Sequence, residues 1–526
     1  MGVQGDRSSW QGPEGSATSR GQGGAPGADA ACEQDAPRRK TQSGAYKQGD
    51  ENHLTEENKA AQIEEYCQLV RSVMEARLDG RTPLAFTHTY GCQGNVSDGE
   101  RINGMLARMG FDFTDDPEAA DFILLNTCAV REHAEDRVFG NVGALKHVKN
   151  RNPKLIIALC GCMVQQQSVA DKIRASYPHV NLVFGTHVIS RFPELLYRTL
   201  TGSKRVFELS QADNSICEDL PVRRDGNFKA WLPIMYGCDN FCTYCIVPHV
   251  RGCERSRDAA HILAEARELI AAGYKDITLL GQNVNSYAVK NSVSSDGEAW
   301  NFPKLLKEID SIEGDYVLRF MTSHPKDCTE ELLTVMAEGK HTAHHLHLPF
   351  QCGSNRVLKA MNRKYTRERY LELVRIAREK MPDISLTSDI IVGFPGETYE
   401  EFCETLDLVR EVKFTSLFTF IYSPREGTPA AKLPDPVSHA EKAKWMRELL
   451  DTQEAIAAER CHAMMGTRQR VLVEQVDSRD GSLICRTGTN INVWCEGDAS
   501  LVGSFAECEI TSARNWVLGG KVISNM

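Results

Sequence analysis

The chain of 526 residues is 41% hydrophobic and 25% charged, which suits about three folded domains. Its net charge of −10 argues against non-specific coating of nucleic acid, no stretch approaches the ~20 apolar residues of a membrane span, and no secretory signal pattern is present. Eighteen cysteines in such a chain favour a reducing compartment, the cytoplasm, where cysteines are metal ligands or buried thiols more often than disulfides.

The first 50 residues are rich in Gly, Ser, Gln and Ala and hold almost no large apolar side chains. Such a segment buries too little surface to offset its chain entropy, so we predict a disordered tail without a catalytic role. A polar helix is predicted over residues 54–78, leading into the first folded unit.

The first unit alternates short apolar runs with helical patterns. The runs lie at residues 84–88, 122–126, 155–159 and 182–184, and the helical patterns at 99–109 and 131–149. This alternation predicts a doubly wound parallel sheet. Cys92, Cys128 and Cys162 each follow one of the first three predicted strands, and ligands of such sheets bind at the carboxyl ends of the strands. We therefore expect the three thiols to converge, with Cys160 as the rival third ligand; the alternative is chance placement of buried thiols.

A second group of thiols lies in Met235-Tyr-Gly-Cys238-Asp-Asn-Phe-Cys242-Thr-Tyr-Cys245-Ile-Val-Pro-His249. These three cysteines, the thiol run, occupy eight positions with gaps that differ from the bacterial ferredoxin pattern. They can hold three irons of a [4Fe-4S] cluster and leave the fourth free for a small molecule. A structural zinc site is the first alternative, but it needs four ligands and only His249 is near enough to complete it. Inert buried thiols are the second.

A second alternation begins near Lys229. Apolar runs at residues 277–280, 316–321, 345–348, 385–392 and 415–421 are separated by helical patterns such as 257–272 and 366–380. They predict a partial (β/α) barrel, and active sites of barrels lie on the loops after the strands, where the thiol run would fall. Gly393-Phe-Pro-Gly-Glu397 follows one of these strands but lacks the lysine of a phosphate loop, so we interpret it as a tight turn.

The remaining signals concern RNA. From Asn355 to Lys380 there are nine Lys or Arg residues against three Glu, which is either a phosphate-binding face or a solvated helix surface. From Met464 onward, strand-like runs at residues 470–474, 483–486 and 492–494 predict a small all-β barrel. Its six basic and seven acidic residues lack the electrostatic footprint of a strong RNA binder.

From residue 83 to its end the chain resembles the methylthiotransferase family of radical S-adenosylmethionine (SAM) enzymes. Besides the thiol run, the resemblance rests on Tyr90-Gly-Cys92-Gln-Gly-Asn95, Asn126-Thr-Cys128-Ala-Val-Arg131-Glu132 and Gly161-Cys162-Met-Val-Gln165. It implies an N-terminal methylthiotransferase domain over residues 83–201, a radical SAM core over 224–460 and a TRAM-like, RNA-binding β-barrel over 463–526.

The resemblance also implies the cofactors, which are SAM and two [4Fe-4S] clusters. Cys238, Cys242 and Cys245 would hold the cluster that binds SAM. Cys92, Cys128 and Cys162 would hold the other, with Cys162 preferred over Cys160 because of its Gly-Cys-Met-x-Gln context.

Four further stretches resemble the branch that modifies N6-dimethylallyladenosine in tRNA, namely residues 279–287, 322–327, 347–354 and 361–366. The implied activity adds a methylthio group to carbon 2 of that base, beside the anticodon, with SAM as methyl donor and radical source. Threonylcarbamoyl-adenosine in tRNA and an aspartate of a ribosomal protein are the alternative substrates. A non-catalytic iron–sulfur RNA-binding sensor is the alternative from another class.

The resemblance further implies that Tyr244 packs near the SAM adenine, with Gln282, Ser323 and Asp389 as polar contacts; the alternative is ordinary polar residues at a barrel mouth. Arg363 and Lys364, in the basic segment, are predicted to bind tRNA phosphates, since splayed RNA loops are gripped by basic and aromatic groups. The expected partners are tRNA carrying dimethylallyladenosine and an electron donor such as flavodoxin or ferredoxin. No membrane association is expected, and the protein is expected to be a monomer.

Overall fold

The computed structural model describes residues 56–129, 132–202, 204–210, 216–224, 226, 228–294 and 297–525. The predicted disordered tail, residues 1–50, lies outside these ranges. Among the described helices, none has both the length and the apolar composition needed to cross a membrane.

The first unit is a parallel sheet covered by helices on both faces. Its strands are β1 (Leu84–Thr89), β2 (Asp112–Phe113), β3 (Phe122–Thr127), β4 (Ile156–Gly161), β5 (Leu182–Phe184) and β6 (Val206–Glu208). Its helices are α1 (Glu56–Arg77), α2 (Gln93–Arg108), α3 (Glu132–Arg151), α4 (Gln167–Ser176) and α5 (Phe192–Thr201). The strand order is β2-β1-β3-β4-β5-β6. Because α1, α2 and α5 share one apolar core with the sheet and α3 and α4 share another, the predicted doubly wound sheet is confirmed.

Two features of this unit differ from the prediction. The edge strands β2 and β6 are two and three residues long, too short to give an apolar periodicity. Helix α2 begins at Gln93 and not at Gly99, directly after the N-cap residue Cys92. The first turns of α2 contain polar residues such as Asn95 and Asp98 that are buried in the fold, so hydrophobicity alone placed the start of the helix too late.

The second unit contains two parallel sheets and two short antiparallel pairs of strands. Its strands are β7 (Lys229–Pro233), β8 (Met235–Tyr236), β9 (Arg255–Ser256), β10 (Asp276–Leu280), β11 (Ala288–Val293), β12 (Ala299–Asn301), β13 (Val317–Phe320), β14 (His345–His347), β15 (Ser385–Val392) and β16 (Ser416–Ile421). Its helices are α6 (Val247–Arg251), α7 (Ala259–Ala271), α8 (Phe302–Asp310), α9 (Glu330–Glu338), α10 (Asn355–Ala360), α11 (Arg367–Lys380) and α12 (Tyr399–Val412).

Six of these strands form the partial barrel. They lie in two parallel sheets, β7-β10-β13 and β14-β15-β16, which a parallel bridge between Leu318 and Thr342 connects. The predicted partial (β/α) barrel is therefore confirmed, with β7 as a strand that the sequence did not predict. One continuous apolar core fills the space between the strands and their helices and contains fully buried rings such as Phe302, Phe320 and Phe350. Burying each such ring stabilises the fold by roughly 1.5–3 kcal/mol.

Helix α13 (His439–Ala463) leads into the third unit, a closed barrel of β17 (Arg468–Val476), β18 (Leu483–Thr487), β19 (Asn492–Glu496), β20 (Phe505–Arg514) and β21 (Val517–Asn525). The small all-β barrel is thus confirmed, and β20 and β21 complete the strands that the sequence predicted. Arg319 of β13 attaches it to the second unit: its guanidinium donates to the carbonyl oxygens of Thr487 (2.9 Å) and Gly488 (3.0 Å) and pairs with Asp276 (3.1 Å).

The segment from Gly393 to Glu397 forms the tight turn that was predicted. Gly393 and Gly396 have positive φ values of 72° and 78°. The buried Glu397 carboxylate accepts hydrogen bonds from the backbone N–H groups of Gly393 (2.6 Å) and Phe394 (3.0 Å). Burial nevertheless raises the pKa of Glu397 to about 7, because desolvation outweighs these hydrogen bonds.

This turn predicts a pH-dependent stability. Between pH 4.5 and about 7 the folded protein holds the Glu397 proton more tightly than the unfolded chain, so its contribution to stability falls as the pH rises. The change is on the order of 3 kcal/mol. In Glu397→Gln this loss should vanish. The melting temperature of the variant relative to that of the wild type should therefore be higher at pH 7.5 than at pH 5. Glu400→Gln, a change at an exposed neighbouring residue, controls for the lost charge. If Glu397→Gln and the wild type differ in melting temperature by the same amount at both pH values, the prediction is wrong.

Candidate functional site

Three thiols meet at the carboxyl edge of the first sheet. Cys92 follows β1, Cys128 follows β3 and Cys162 follows β4. The thiols of Cys92 and Cys162 point to the same oxygen, Oδ1 of Asn95, at 3.4 and 3.8 Å. The Cys128 thiol interacts with both of the other two. These three cysteines, the N-terminal triad, therefore lie together, as the strand positions predicted.

The backbone around this triad is fixed by buried amides and one glycine. Asn95 donates from Nδ2 to Oδ1 of Asn126 (3.1 Å) and to the carbonyl of Thr127 (3.0 Å), which ties α2 to the end of β3. Gly161 has φ +99°, and a Cβ there would lie 2.3 Å from the Thr127 carbonyl oxygen. Only glycine lets β4 pass this point and turn Cys162 toward its partners.

The Cys160 side chain lies away from the N-terminal triad. Its side chain is packed in the apolar core beneath α1, α2 and α5, and burial raises the pKa of its thiol well above the ordinary value. The structure thus groups Cys162, and not Cys160, with Cys92 and Cys128.

The thiol run lies at the mouth of the partial barrel, directly after β7 and β8. Asn240 donates from Nδ2 to the Cys238 sulfur (3.5 Å), and the Cys245 N–H donates to the Cys242 carbonyl (2.9 Å). Burial, followed by the nearby Cys242 thiol, raises the pKa of Cys245 to about 12. Asn362 holds the loop by donating to the carbonyl of Phe241 (2.9 Å), a residue with a positive φ of 48°.

Arg363, which we predicted to bind a tRNA phosphate, lies beside the thiol run. It is only 9% exposed. Its guanidinium donates to Cys242 Sγ (3.3 Å), Tyr365 Oη (3.1 Å), Tyr244 Oη (3.4 Å) and the Pro349 carbonyl (3.0 Å). These partners hold the guanidinium within the barrel mouth.

The surroundings of Arg363 also test whether the thiol run suits an iron–sulfur cluster. Burial opposes the charge of Arg363, yet its pKa is raised well above the ordinary value by Tyr365, Tyr244 and Cys242. No carboxylate of the described residues forms an ion pair with it. A buried cation is costly unless an anion balances it, so this position fits a cluster whose thiolate ligands carry negative charge.

The four residues expected to contact SAM have different environments. Tyr244 packs against the barrel core beside Arg363. Gln282 and Ser323 follow β10 and β13, and their atoms Oε1 and Oγ are buried without a hydrogen-bond partner among the described residues. Asp389, inside β15, lies 3.5 Å from Nε2 of His347 and is partly exposed. Buried polar atoms without partners fit a ligand that supplies the missing hydrogen bonds.

Helix α6 connects the two groups of thiols. It starts just after Cys245, and Ile246 and Val250 pack against Cys128 and Cys162 of the N-terminal triad. Its last residue, Arg251, is buried and pairs with Asp98 of α2 at 2.8 Å. The two thiol groups therefore face one interface between the first and second units. Sequence reasoning missed Arg251, because nothing in the local pattern of α6 shows that it spans two units.

The zinc alternative finds no support in the position of His249, which is exposed on α6. Among the described residues, no group of three or more His, Cys, Asp or Glu side chains is placed to hold a single metal ion. In a [4Fe-4S] cluster each thiolate binds its own iron, so the cysteines of such a site need not converge on one ion.

The basic segment is largely neutralised by ion pairs. Five of its basic residues pair with glutamates, namely Arg356–Glu401, Arg367–Glu411, Arg369–Glu372, Arg375–Glu379 and Lys380–Glu330. Lys364 is exposed and donates to Oδ1 of Asn362 at 2.6 Å. Of the two residues predicted to bind phosphate, Lys364 is exposed and Arg363 is buried.

Comparison with known protein families gives matches along most of the chain. The Radical SAM superfamily matches residues 232–409, the uncharacterized protein family UPF0004 matches residues 85–185, and the TRAM domain matches residues 462–523.

Individual proteins are similar over nearly their whole length. The tRNA-2-methylthio-N(6)-dimethylallyladenosine synthase of Thermoanaerobacter sp. (strain X514) is 48% identical over 445 residues, which are 84% of this chain and 93% of that protein. The synthase of the same name from Carboxydothermus hydrogenoformans is 46% identical over 436 residues, 83% of this chain and 98% of that protein. Among solved structures, the radical S-adenosylmethionine methyltransferase TsrM from Kitasatospora setae aligns with a TM-score of 0.48 and 12% identity, covering 75% of this chain and 79% of that one.

Proposed function

The chain belongs to the tRNA-2-methylthio-N(6)-dimethylallyladenosine synthase family, and we propose that it adds a methylthio group to carbon 2 of N6-dimethylallyladenosine in tRNA. The observation that carries this proposal is the pair of thiol groups that face one interface across α6. A reaction that adds both sulfur and a methyl group to an unactivated carbon needs two reactive centres close to each other.

Each thiol group would hold one [4Fe-4S] cluster. Cys238, Cys242 and Cys245 would bind the first, and the N-terminal triad the second. When bound, the clusters and SAM supply the radical, the methyl group and the sulfur chemistry, while the protein positions the parts. Arg363 would balance negative charge at the thiol run, and the unpartnered polar atoms of Gln282 and Ser323 would orient SAM.

The apolar contact through α6 has a separate role in this proposal. Ile246 and Val250 pack against Cys128 and Cys162, so these side chains exclude water from the space beside those two thiols. Exclusion of water protects reactive intermediates from side reactions. A non-catalytic sensor would use neither this dry interface nor the unpartnered polar atoms at the barrel mouth, so these features favour an enzyme.

The test of the substrate is nucleoside analysis of tRNA from cells that lack this protein. We expect the methylthio derivative to disappear, N6-dimethylallyladenosine to accumulate, and the wild-type chain to reverse both changes. Persistence of the methylthio derivative would refute the proposal. Loss of the methylthio derivative of threonylcarbamoyl-adenosine instead would favour the alternative substrate. Binding to a flavodoxin- or ferredoxin-type electron donor, the monomeric state and the cytoplasmic location stay predictions.

Replacement of the exposed residue Lys364 is expected to have a modest effect on tRNA binding. We propose that Lys364 contacts a tRNA phosphate, so Lys364→Ala should weaken tRNA binding and flatten the plot of log affinity against log salt by about 0.7, the value for one contact on single-stranded RNA. Arg375→Ala is the matched control, since Arg375 is exposed and already paired with Glu379. Equal slopes for wild type and Lys364→Ala would show that Lys364 lies on a solvated surface.

A further inference from the structure

The turn between β18 and β19 of the small barrel packs against the amino end of the partial barrel. The carbonyl oxygens of Thr487 and Gly488 accept hydrogen bonds from Arg319 of β13, at 2.9 and 3.0 Å. In the same turn, Asn490 has a left-handed φ of 68°, and its Nδ2 lies 3.4 Å from Nε2 of His345, the first residue of β14. The turn therefore contacts the partial barrel at the end opposite the thiol run, which follows β7 and β8.

A series of polar side chains leads from this turn through the interior of the partial barrel. Nε2 of His345 lies 3.1 Å from Oγ1 of Thr387, and the same oxygen lies 3.0 Å from Nδ1 of His347. Nε2 of His347 lies 3.5 Å from Oδ1 of Asp389. These four residues are alternate members of the neighbouring strands β14 and β15, so their side chains share one face of the sheet. Together with Asn490 they form the polar chain.

The hydrogen bonds of the polar chain can run in either of two directions. His345, His347 and Thr387 are only 3%, 4% and 7% exposed. Burial, followed by the charge of Arg319, lowers the pKa of His345 well below its ordinary value, so its ring is neutral near pH 7 and has one donor and one acceptor nitrogen. The Thr387 hydroxyl has a single proton, so at any moment it donates to only one of the two imidazoles.

The two ends of the polar chain favour opposite directions. Arg486 donates to Oδ1 of Asn490 at 3.1 Å, which turns the amide N–H of Asn490 toward Nε2 of His345. His345 then accepts at Nε2, and the shared hydroxyl also donates to it. The carboxylate of Asp389 favours the reverse, because a His347 ring that donates from Nε2 to Asp389 accepts from the shared hydroxyl at Nδ1. A change at either end therefore alters the hydrogen bonds at the other.

We propose that the polar chain couples RNA binding by the small barrel to SAM binding at Asp389, with Thr387 and His347 as positioning residues. The inference rests on the proposed function, with SAM at the barrel mouth and tRNA contacting the small barrel, the region that the TRAM domain matches. With SAM bound, the Asp389 carboxylate accepts from its hydroxyl groups as well, which weakens the hold of Asp389 on His347. The chain then takes the direction in which the turn donates to His345.

This direction seats the turn firmly and holds the small barrel in one orientation for the RNA. Each ligand therefore favours the arrangement that the other binds, and a ligand shifts an equilibrium only by its different affinity for the two arrangements. Coupling of this kind is reciprocal, so tRNA must strengthen SAM binding by the same factor by which SAM strengthens tRNA binding.

The Kd for SAM, measured at equilibrium on cluster-reconstituted protein without a reductant, tests this coupling. Coupled sites change the affinity of each other about 5- to 150-fold. In the wild type we expect the Kd for SAM to fall at least about 5-fold when saturating tRNA is added. The Kd for tRNA should fall by the same factor when SAM is added. In Thr387→Val, which removes the hydroxyl and keeps the branched shape of the side chain, neither ligand should change the Kd of the other.

Two further variants distinguish the loss of the hydroxyl from a general loss of stability. Thr387→Ser keeps the hydroxyl and should keep the coupling. Thr415→Val is the matched control, because Oγ1 of Thr415, which precedes β16, is buried without a hydrogen-bond partner among the described residues. Its removal breaks no hydrogen bond of the polar chain, so this variant should show the wild-type change in both Kd values.

The turn offers a second pair of variants, independent of Thr387. Asn490→Gly removes the amide, and glycine adopts the left-handed φ of that position without strain. This variant should also lose the coupling. Asn515→Gly makes the same change at an exposed residue with a left-handed φ of 49°, between β20 and β21 and outside the polar chain, and should keep the coupling.

The outcomes separate this inference from the proposed function. Independent binding of SAM and tRNA in the wild type would overturn the coupling, and wild-type coupling in Thr387→Val or in Asn490→Gly would overturn the polar chain as its route. These measurements follow binding without turnover. If cells that lack the protein keep the methylthio nucleoside, the proposed function fails, and the coupling is then judged by the Kd values alone.

Discussion

Replacing Cys92, Cys128 and Cys162 together with alanine is expected to abolish methylthio product while SAM cleavage to 5′-deoxyadenosine continues under a strong reductant. The physical reason is that the N-terminal triad lies at the edge of the first sheet, whereas the thiol run, Arg363 and the unpartnered polar atoms belong to the partial barrel. Alanine at the three triad positions leaves the thiol run, Arg363 and the unpartnered polar atoms of the partial barrel in place. Iron content after anaerobic reconstitution should fall to about half, the share of one of two [4Fe-4S] clusters.

Cys160→Ala is the matched control for this variant. Cys160 lies in β4, two residues from Cys162, but its side chain is packed in the apolar core. It should therefore keep full iron content and product formation, with a small loss of stability from the missing sulfur. Methylthio product from the triple variant would show that the sulfur does not pass through the N-terminal triad, and zinc in place of iron would overturn the two-cluster assignment.

Arg363→Met is expected to lower the rate of SAM cleavage by about 10- to 100-fold, the effect of losing about 1.5–3 kcal/mol from a hydrogen bond made by a charged group. The guanidinium holds the Pro349 carbonyl and the Cys242 sulfur at 3.0 and 3.3 Å, so its loss disturbs the thiol run directly. Affinity for tRNA should change little, because Arg363 is buried.

The neighbouring residue supplies the comparison for Arg363. Lys364→Met carries the same new side chain one position away, on an exposed residue, and should leave SAM cleavage intact while weakening tRNA binding. Because Arg363 acts through Cys242, its variant should also change the EPR spectrum of the reduced cluster on addition of SAM, and Arg363→Lys should restore part of the rate. Normal SAM cleavage with weaker tRNA binding in Arg363→Met would return Arg363 to the role of a phosphate contact.

Much of the architecture follows from local pattern. Apolar runs of three to eight residues that alternate with helical segments were sufficient to predict the doubly wound sheet and the partial barrel, because parallel strands are buried on both faces. Strands β2, β6 and β7 and the last two strands of the small barrel were missed. Strands β2 and β6 have only two and three residues and show no periodicity. Strands β20 and β21 mix polar and apolar residues without a long apolar run.

The sequence by itself indicated the two groups of thiols, whereas the choice of Cys162 over Cys160 within the first group needed the packing of β4. The thiol run is set by spacing, and the N-terminal triad by the rule that neighbouring parallel strands end at one edge. Sequence could not decide where side chains outside these patterns point. Helix α10 ends at Ala360, and two residues later Asn362 has a left-handed φ of 58°. After this turn Arg363 lies buried in the barrel mouth and Lys364 is exposed. The pairing of Arg251 with Asp98 joins residues 153 positions apart, so only the packing of the two units could place that guanidinium beside the triad.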